Sequence, residues 1–223
     1  MGRSLVIVGA GPMGREVYAY ALDQLADGRQ ASFDRVAGFI DLGQKPGDHI
    51  SAFNLNIDFV DALESHKPRS EFAYVTGIGN PAEKRRSVAL LSGVTHWTNV
   101  IHPTAYVASS ASLCAGIVMA PFSLTGIDSS LGNHVTLNVY ASCGHDAHIG
   151  AFSTLCPYSA ITGCVVLEEE VFLGTHVGVN PGVRIGTRCR VAAGSTVTHD
   201  VEAGSLLVGN PAKGRVMYLL DNG

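Results

Sequence analysis

From Ile101 onward the chain repeats every six residues. The first positions of successive hexads are Ile101, Val107, Leu113, Met119, Thr125, Leu131, Leu137, Cys143, Ile149, Leu155, Ile161, Leu167, Leu173, Val179, Ile185, Val191 and Val197. That makes 17 hexads with no insertion, and 15 of them begin with an aliphatic residue or Met, Thr125 and Cys143 being the exceptions. The fifth position holds only Ala, Ser, Cys, Val and one bulkier residue, Ile117, while Gly, Asn and Asp gather between the two positions. A β-sandwich alternates with period two and turns at irregular spacings of roughly 8–12 residues, so it would not keep a phase of six this long. A triangular β-coil does keep it. Each side is a short strand plus a corner, the first position points into the prism, and the fifth must be small because it lies near the axis. Three sides make a coil of about 18 residues that buries its faces only against its neighbours. The spacing predicts a left-handed parallel β-helix of between five and six coils over residues 101–208, followed by a tail over 209–223.

The first hundred residues read differently. Ser4-Leu5-Val6-Ile7-Val8 has the composition of a buried strand, and Gly9-Ala10-Gly11-Pro12-Met13-Gly14 follows as a formal G-x-G-x-x-G. Arg15 to Leu25 then carries helical spacing of apolar residues. A second strand, Val36 to Ile40, ends at Asp41; a third, Phe72 to Val75, runs into Gly77-Ile78-Gly79-Asn80 and a helix from Glu83 to Leu91. Leu42 to Ile50, with Gly43, Pro46 and Gly47, reads as a loop. Alternating strands and helices imply a small Rossmann-like α/β domain over residues 1–100 with a parallel sheet. In such sheets ligands sit beyond the carboxyl ends of the strands, where both glycine turns and Asp41 fall. Gly9, Gly11, Gly14, Asp41, Gly79 and Asn80 are therefore candidate substrate-binding residues. A pyrophosphate would approach backbone N–H groups at a helix N-terminus. The glycines are also what a tight turn with positive φ requires, and Asp41 is also compatible with a solvated strand end.

Composition narrows the function. The formal net charge of -4 gives no reason to expect nucleic acid as a partner. Only 15% of residues are charged and 26 are glycine, which suits stacked coils of small residues. No apolar run approaches a membrane span. Leu5 to Ala10 imitates a signal peptide, but glycines and the Arg15-Glu16 pair interrupt it. The cysteines (Cys114, Cys143, Cys156, Cys164 and Cys189) are odd in number and form no CxxC, which argues against a zinc ribbon or a disulfide framework. Free, buried thiols in a reducing cytoplasm are expected.

The order of a glycine-turn α/β domain, Ile101-His102-Pro103, hexads, and Gly209-Asn210-Pro211-Ala212-Lys213 resembles the nucleotide-sugar acyltransferases of the hexapeptide-repeat superfamily. That group includes sialic acid O-acetyltransferases and bacillosamine-type amino-sugar N-acetyltransferases. The resemblance spans nearly the whole chain, and Gly144-His145-Asp146 makes it more specific. It implies that His145 is the general base with Asp146 beside it. It further implies acetyl-CoA, or another acyl-CoA, as co-substrate, a homotrimer, and a CoA cleft between neighbouring β-helices. By alignment of hexads, Asn138, Thr154, Gly163 and Thr175 fall where relatives contact the cofactor. Thr154 stands where relatives often carry a second His, and Pro12-Met13 where they usually have Gly-His.

The chemistry is consistent with that. Acyl transfer from a thioester needs a base for the incoming amine or hydroxyl and donors for the oxyanion. His145 is the third residue of its hexad, at a corner, and Gly163 follows 18 residues later, one coil on. His145-x-x-His148 is not expected to bind metal, because ligands at i and i+3 on a β-coil diverge. No metal cofactor is expected. Two other functions stay open on the residues alone: an NAD-type oxidoreductase built on the first domain, and a non-catalytic sugar-binding β-helix.

Overall fold

The computed structural model of the protein describes residues 2–28, 31–44, 49–50 and 57–216. Five strands come first: β1 (Arg3–Val8), β2 (Phe33–Asp41), β3 (His49–Ile50), β4 (Ile57–Ala62) and β5 (Phe72–Thr76). They form one sheet in the order β3-β4-β2-β1-β5, parallel except for the β3–β4 pair. Leu5, Val6, Ile7 and Val8 are all fully buried, as a central parallel strand covered on both faces requires. On one face Leu5 and Ile7 pack with Val17 and Ala21 of helix α1 (Pro12–Ala26) and with Val100, Val118 and Ala120 of the repeat region. On the other, Val6 and Val8 pack with Tyr74 and Leu91, just past helix α2 (Pro81–Leu90). The sheet and the repeats thus share a core.

The three strands and two helices expected from sequence are present, each with ends displaced by a few residues. The strand β4 was not expected. Asp58 and Asp61 break its apolar pattern, yet it pairs along β2 through Phe39 and Phe59. The expected loop from Leu42 to Ile50 is only partly one. Leu42–Gly43 turn, but His49–Ile50 pair antiparallel with β4, and residues 45–48 lie outside the described residues.

The repeat region is a β-solenoid. Seventeen two-residue strands run from Val100–Ile101 to Thr196–Val197, each ending on the first residue of a hexad. They stack in three parallel sheets, because strands 18 residues apart pair, as Thr136 does with Thr154. The first face carries Thr136 and Thr154 on its outer surface, the second Tyr106, Leu124 and Ser142, and the third Ser130 and His148. First- and fifth-position side chains such as Leu137, Leu155, Val135 and Val171 fill the prism and are fully buried. At the corners the fourth position has φ between 55° and 63° at eleven non-glycine residues, from Phe122 to Arg188. Beyond the last coil, β23 (Ser205–Val208) continues the first face, and β24 (Lys213–Val216), in the segment expected as a tail, returns antiparallel to it.

All five thiols are free, but the expectation that they are buried fails for two. Cys114 and Cys164 are exposed, Cys156 is half-buried, and Cys143 and Cys189 are buried. Cys164 occupies a fourth position, which points away from the prism. Among the described residues no helix is long and apolar enough to cross a membrane.

Candidate active site

The corner from Gly144 to Ala147 joins the second and third faces. Asp146 has φ 56°, which turns its carboxylate back toward the preceding side chain. His145 Nδ1 and Asp146 Oδ2 lie 2.7 Å apart, and the two side chains are 61% and 55% exposed. With Nδ1–H donated to the carboxylate, Nε2 carries the free lone pair and is the basic nitrogen. The next coil brings Gly163 against the ring. A Cβ built there would meet His145 Nδ1 at 3.0 Å and approach Nε2 and Cε1 more closely still. The imidazole therefore lies on the Gly163 backbone, and only glycine leaves room for it. Asp146 is stacked by Cys164, and ligand atoms of His145, Asp146 and Cys164 all lie within 4.8 Å of one another. His148 takes no part. Its Nδ1 contacts Ser130 Oγ at 2.5 Å on the third face.

The other three positions expected at the cofactor are elsewhere. Asn138 and Thr175 are half-buried at the corner joining the first and second faces. Asn138 Oδ1 accepts from Val139 N at 2.7 Å. Along that corner Phe122, Tyr140, Tyr158 and His176 stack with centroids 5.0, 4.9 and 4.8 Å apart. Thr154 is buried on the first face, where its Oγ1 accepts from Lys84 Nζ at 3.0 Å. The structure thus joins Gly163 to His145 and Asp146, sets Asn138 and Thr175 on the opposite edge of the second face, and covers Thr154 with α2.

A cavity of about 380 Å³ opens at the carboxyl ends of β1, β2 and β5. Gly9, Gly11, Asp41 and Gly79 line it, with Glu83, Arg86 and Ser87 from α2. Gly9 has φ +97°, so the turn needs glycine. Gly11 caps α1 without any side-chain hydrogen bond, and a Cβ on Gly11 or Gly79 would meet nothing. Backbone at both places is open to a ligand. Asp41 Oδ2 accepts from Ala10 N at 2.8 Å and its Oδ1 from Leu42 N at 2.7 Å, so its carboxylate ties the glycine turn to the end of β2. Two expected residues shape the cavity without lining it. Gly14 is buried, and any Cβ there would collide with the Gly9 carbonyl. Asn80 caps α2, its Oδ1 accepting from Ala82 N and Glu83 N at 3.0 and 3.3 Å.

Sequence reasoning missed Lys84. It is fully buried, and burial pushes its pKa down to about 7. Beside it, burial first and Lys84 second push His134 down to about 4. The run Lys84-Arg85-Arg86 reads as a solvated helix face. A signal was nevertheless present: Pro81, Lys84, Val88 and Leu91 recur at helical spacing on one side.

Known proteins resemble this chain in sequence and in fold. The family described as bacterial transferase hexapeptide (six repeats) matches residues 164–199. GDP-perosamine N-acetyltransferase of Escherichia coli is 27% identical over 216 residues, covering 93% of this chain and 94% of the relative. A solved histidine mutant of perosamine N-acetyltransferase from Caulobacter crescentus, in complex with CoA and GDP-perosamine, superposes with a TM-score of 0.78 at 28% identity, covering 95% of this chain and 96% of the other. The acetyltransferase domain of PglB from Neisseria gonorrhoeae, in complex with acetyl coenzyme A, shares the fold, with a TM-score of 0.80 at 23% identity over 96% of this chain and 99% of that one.

Proposed function

We propose that this hexapeptide-repeat chain moves an acetyl group from acetyl-CoA to the amino group of a nucleotide-linked sugar. The observation that carries the reading is the His145–Asp146 pair lying on Gly163 at a solenoid corner. The full-length likeness to an N-acetyltransferase held with CoA and GDP-perosamine supports the choice of both substrates. Nε2 of His145 takes a proton as the sugar nitrogen attacks the thioester carbonyl. The Asp146 carboxylate holds the ring and stabilises its charged form. Among the described residues the Gly163 N–H has no protein acceptor, so it is free to donate to the oxyanion as the tetrahedral intermediate forms. Collapse of that intermediate releases the CoA thiolate, which recovers the proton from the imidazolium.

The remaining assignments follow from this reading. Residues 1–100 act as a Rossmann-like nucleotide-sugar-binding domain, supported by the cavity between its glycine turns. Residues 101–208 are a left-handed β-helix and 209–223 a C-terminal tail. Asn138 and Thr175 lie across the second face from His145, so a CoA that touches both edges needs a neighbouring chain. The outward residues of that face, Tyr106, Leu124, Ser142, Ala160, Gly178 and Thr196, include no charge. We assign a homotrimer with CoA between adjacent solenoids, in a cytoplasm that keeps the thiols reduced. The test is incubation with acetyl-CoA and a panel of nucleotide-linked amino sugars, watching thiol release. His145→Asn should lower kcat by about 10² to 10⁴ with little change in KM for acetyl-CoA. No thiol release with any sugar would sink the assignment, and full turnover in His145→Asn would remove His145 from it.

A further inference from the structure

Helix α2 has two working sides. Glu83, Arg86 and Ser87 line the cavity beside the glycine turns. Lys84 points the other way, into the solenoid. Its Nζ donates toward His134 O at 2.9 Å, Thr136 Oγ1 at 2.9 Å, Thr154 Oγ1 at 3.0 Å and Ser153 O at 3.5 Å. Thr136 and Thr154 are paired across adjacent coils, so the two hydroxyls form a fixed cradle. Arg85 continues the attachment one coil further on. Its guanidinium pairs with Glu169 and with Glu170, the latter at 2.9 Å, and lies 4.7 Å over the Phe152 ring.

We infer that Lys84 is a positioning residue: through α2 it fixes the nucleotide-sugar cavity in register with the solenoid that carries His145. The inference rests on the proposed function, since it takes the cavity as the sugar-nucleotide site. The physical argument concerns what the ammonium costs and what it gives. Burying a charge with no carboxylate partner is costly. A methionine would fill similar space without that cost. What methionine lacks is direction. The N–H donors of Nζ, as ammonium or as amine, meet surrounding oxygens at set angles and admit one docking geometry, whereas apolar contact tolerates sliding. Sliding matters here because the cavity and the catalytic corner belong to different parts of the chain, and a reacting group misplaced by about 1 Å loses roughly a hundredfold in rate.

The experiment separates position from stability. Lys84→Met leaves His134 O, Thr136 Oγ1 and Thr154 Oγ1 unmatched, while Ser153 O still accepts from Thr136 N at 3.0 Å, and it is expected to lower the melting temperature. The triple variant Lys84→Met, Thr136→Val, Thr154→Val replaces most of the polar cluster with apolar groups of similar shape, so much of that loss should return. Calorimetry would measure ADP, CDP, GDP, UDP and CoA binding, and kinetics the transfer to the preferred nucleotide sugar. In the triple variant the preferred nucleoside diphosphate should bind about tenfold more weakly and kcat should fall about tenfold or more, with CoA affinity unchanged. Wild-type affinities and kcat in the triple variant would overturn the inference, as would equal weakening of nucleotide and CoA. Wild-type protein that binds CoA but no nucleoside diphosphate would instead overturn the nucleotide-sugar reading beneath it.

Discussion

Replacing Gly163 by alanine tests the proposed catalytic corner at one atom. The Gly163 φ lies outside the left-handed region, so its backbone accepts a Cβ without strain. The nearest obstacle to the new methyl group is the His145 imidazole, whose Nδ1 would lie at 3.0 Å with Nε2 and Cε1 nearer, against ordinary contact from about 3.4 Å. That ring is the far end of an exposed side chain, 61% accessible, and it can swing away. Stability should change by less than about 1 kcal/mol, because the clash is relieved at the surface and alanine restricts the unfolded chain slightly more than glycine. Catalysis should not escape. To clear the methyl group the ring must withdraw by about 1 Å, and a displacement of that size is worth roughly a hundredfold in kcat, or about 2.7 kcal/mol of barrier. The assay is a double-mutant cycle on kcat/KM using Gly163→Ala, His145→Ala and the pair. If glycine serves only to seat the imidazole, Gly163→Ala costs nothing further once His145 is gone. A Gly163→Ala enzyme within threefold of wild type refutes the reasoning. An equal loss in the His145→Ala background refutes it too, because alanine keeps the N–H that faces the oxyanion and the methyl group would then be obstructing something other than the imidazole.

Asp41→Ala should raise KM for the nucleotide sugar about ten- to a hundredfold through loss of two charge-assisted ties on the glycine turn, leaving KM for acetyl-CoA alone; equal effects on both substrates would make Asp41 a general stability residue. Stability should fall as pH drops from 6.5 toward about 4, by on the order of 3 kcal/mol, because His134 binds its proton in the unfolded chain before it does in the fold. Denaturant melts of His134→Phe should lack that slope, and an unchanged slope would place the titration elsewhere. Between about pH 7 and 10.5 the unfolded chain holds the Lys84 proton while the fold has released it, so stability should rise with pH there; Lys84→Met should flatten the rise, and a flat wild-type profile would mean the four oxygens keep the ammonium charged.

The solenoid was legible in the sequence because position within a hexad alone decides whether a side chain points inward. Even the Thr125 and Cys143 exceptions are buried first-position residues. The pairing of His145 with Gly163 was legible for the same reason, since 18 residues is one coil. The same arithmetic placed Cys164 above Asp146, although no sequence argument drew it. What the period does not encode is which part of the outer surface another element covers. Thr154 occupies an outward position and was expected to meet the cofactor, but α2 lies over it. Lys84 was illegible from the opposite side, as a cation in a basic run normally reads as solvated. Strand β4 escaped because the neighbour that makes Phe59 internal, β2, lies far back in the chain.

Backbone strain is not what sets the proposed catalytic corner apart. Asp146 adopts φ 56°, a conformation that costs an L-residue roughly 1–2 kcal/mol, and such strain often marks a functional site. Here it does not distinguish Asp146 from its neighbours in the period. Asp128, His134, Tyr140, Phe152, Tyr158 and Cys164 adopt the same angle, because every coil turns its corners there. The cost belongs to the fold and is offset by burying first- and fifth-position side chains inside the prism. What the repeat supplies to chemistry is a standard direction: fourth-position side chains leave each corner in parallel, one coil above another. At the corner joining the first and second faces that direction stacks four rings. At the His145 corner it holds a carboxylate beside the imidazole preceding it. The departures from the repeat then come down to residue choice, a histidine at the third position of one coil and a glycine at the third position of the next. The scaffold fixes the angle, and on the proposed mechanism those two residues are what make one corner a base.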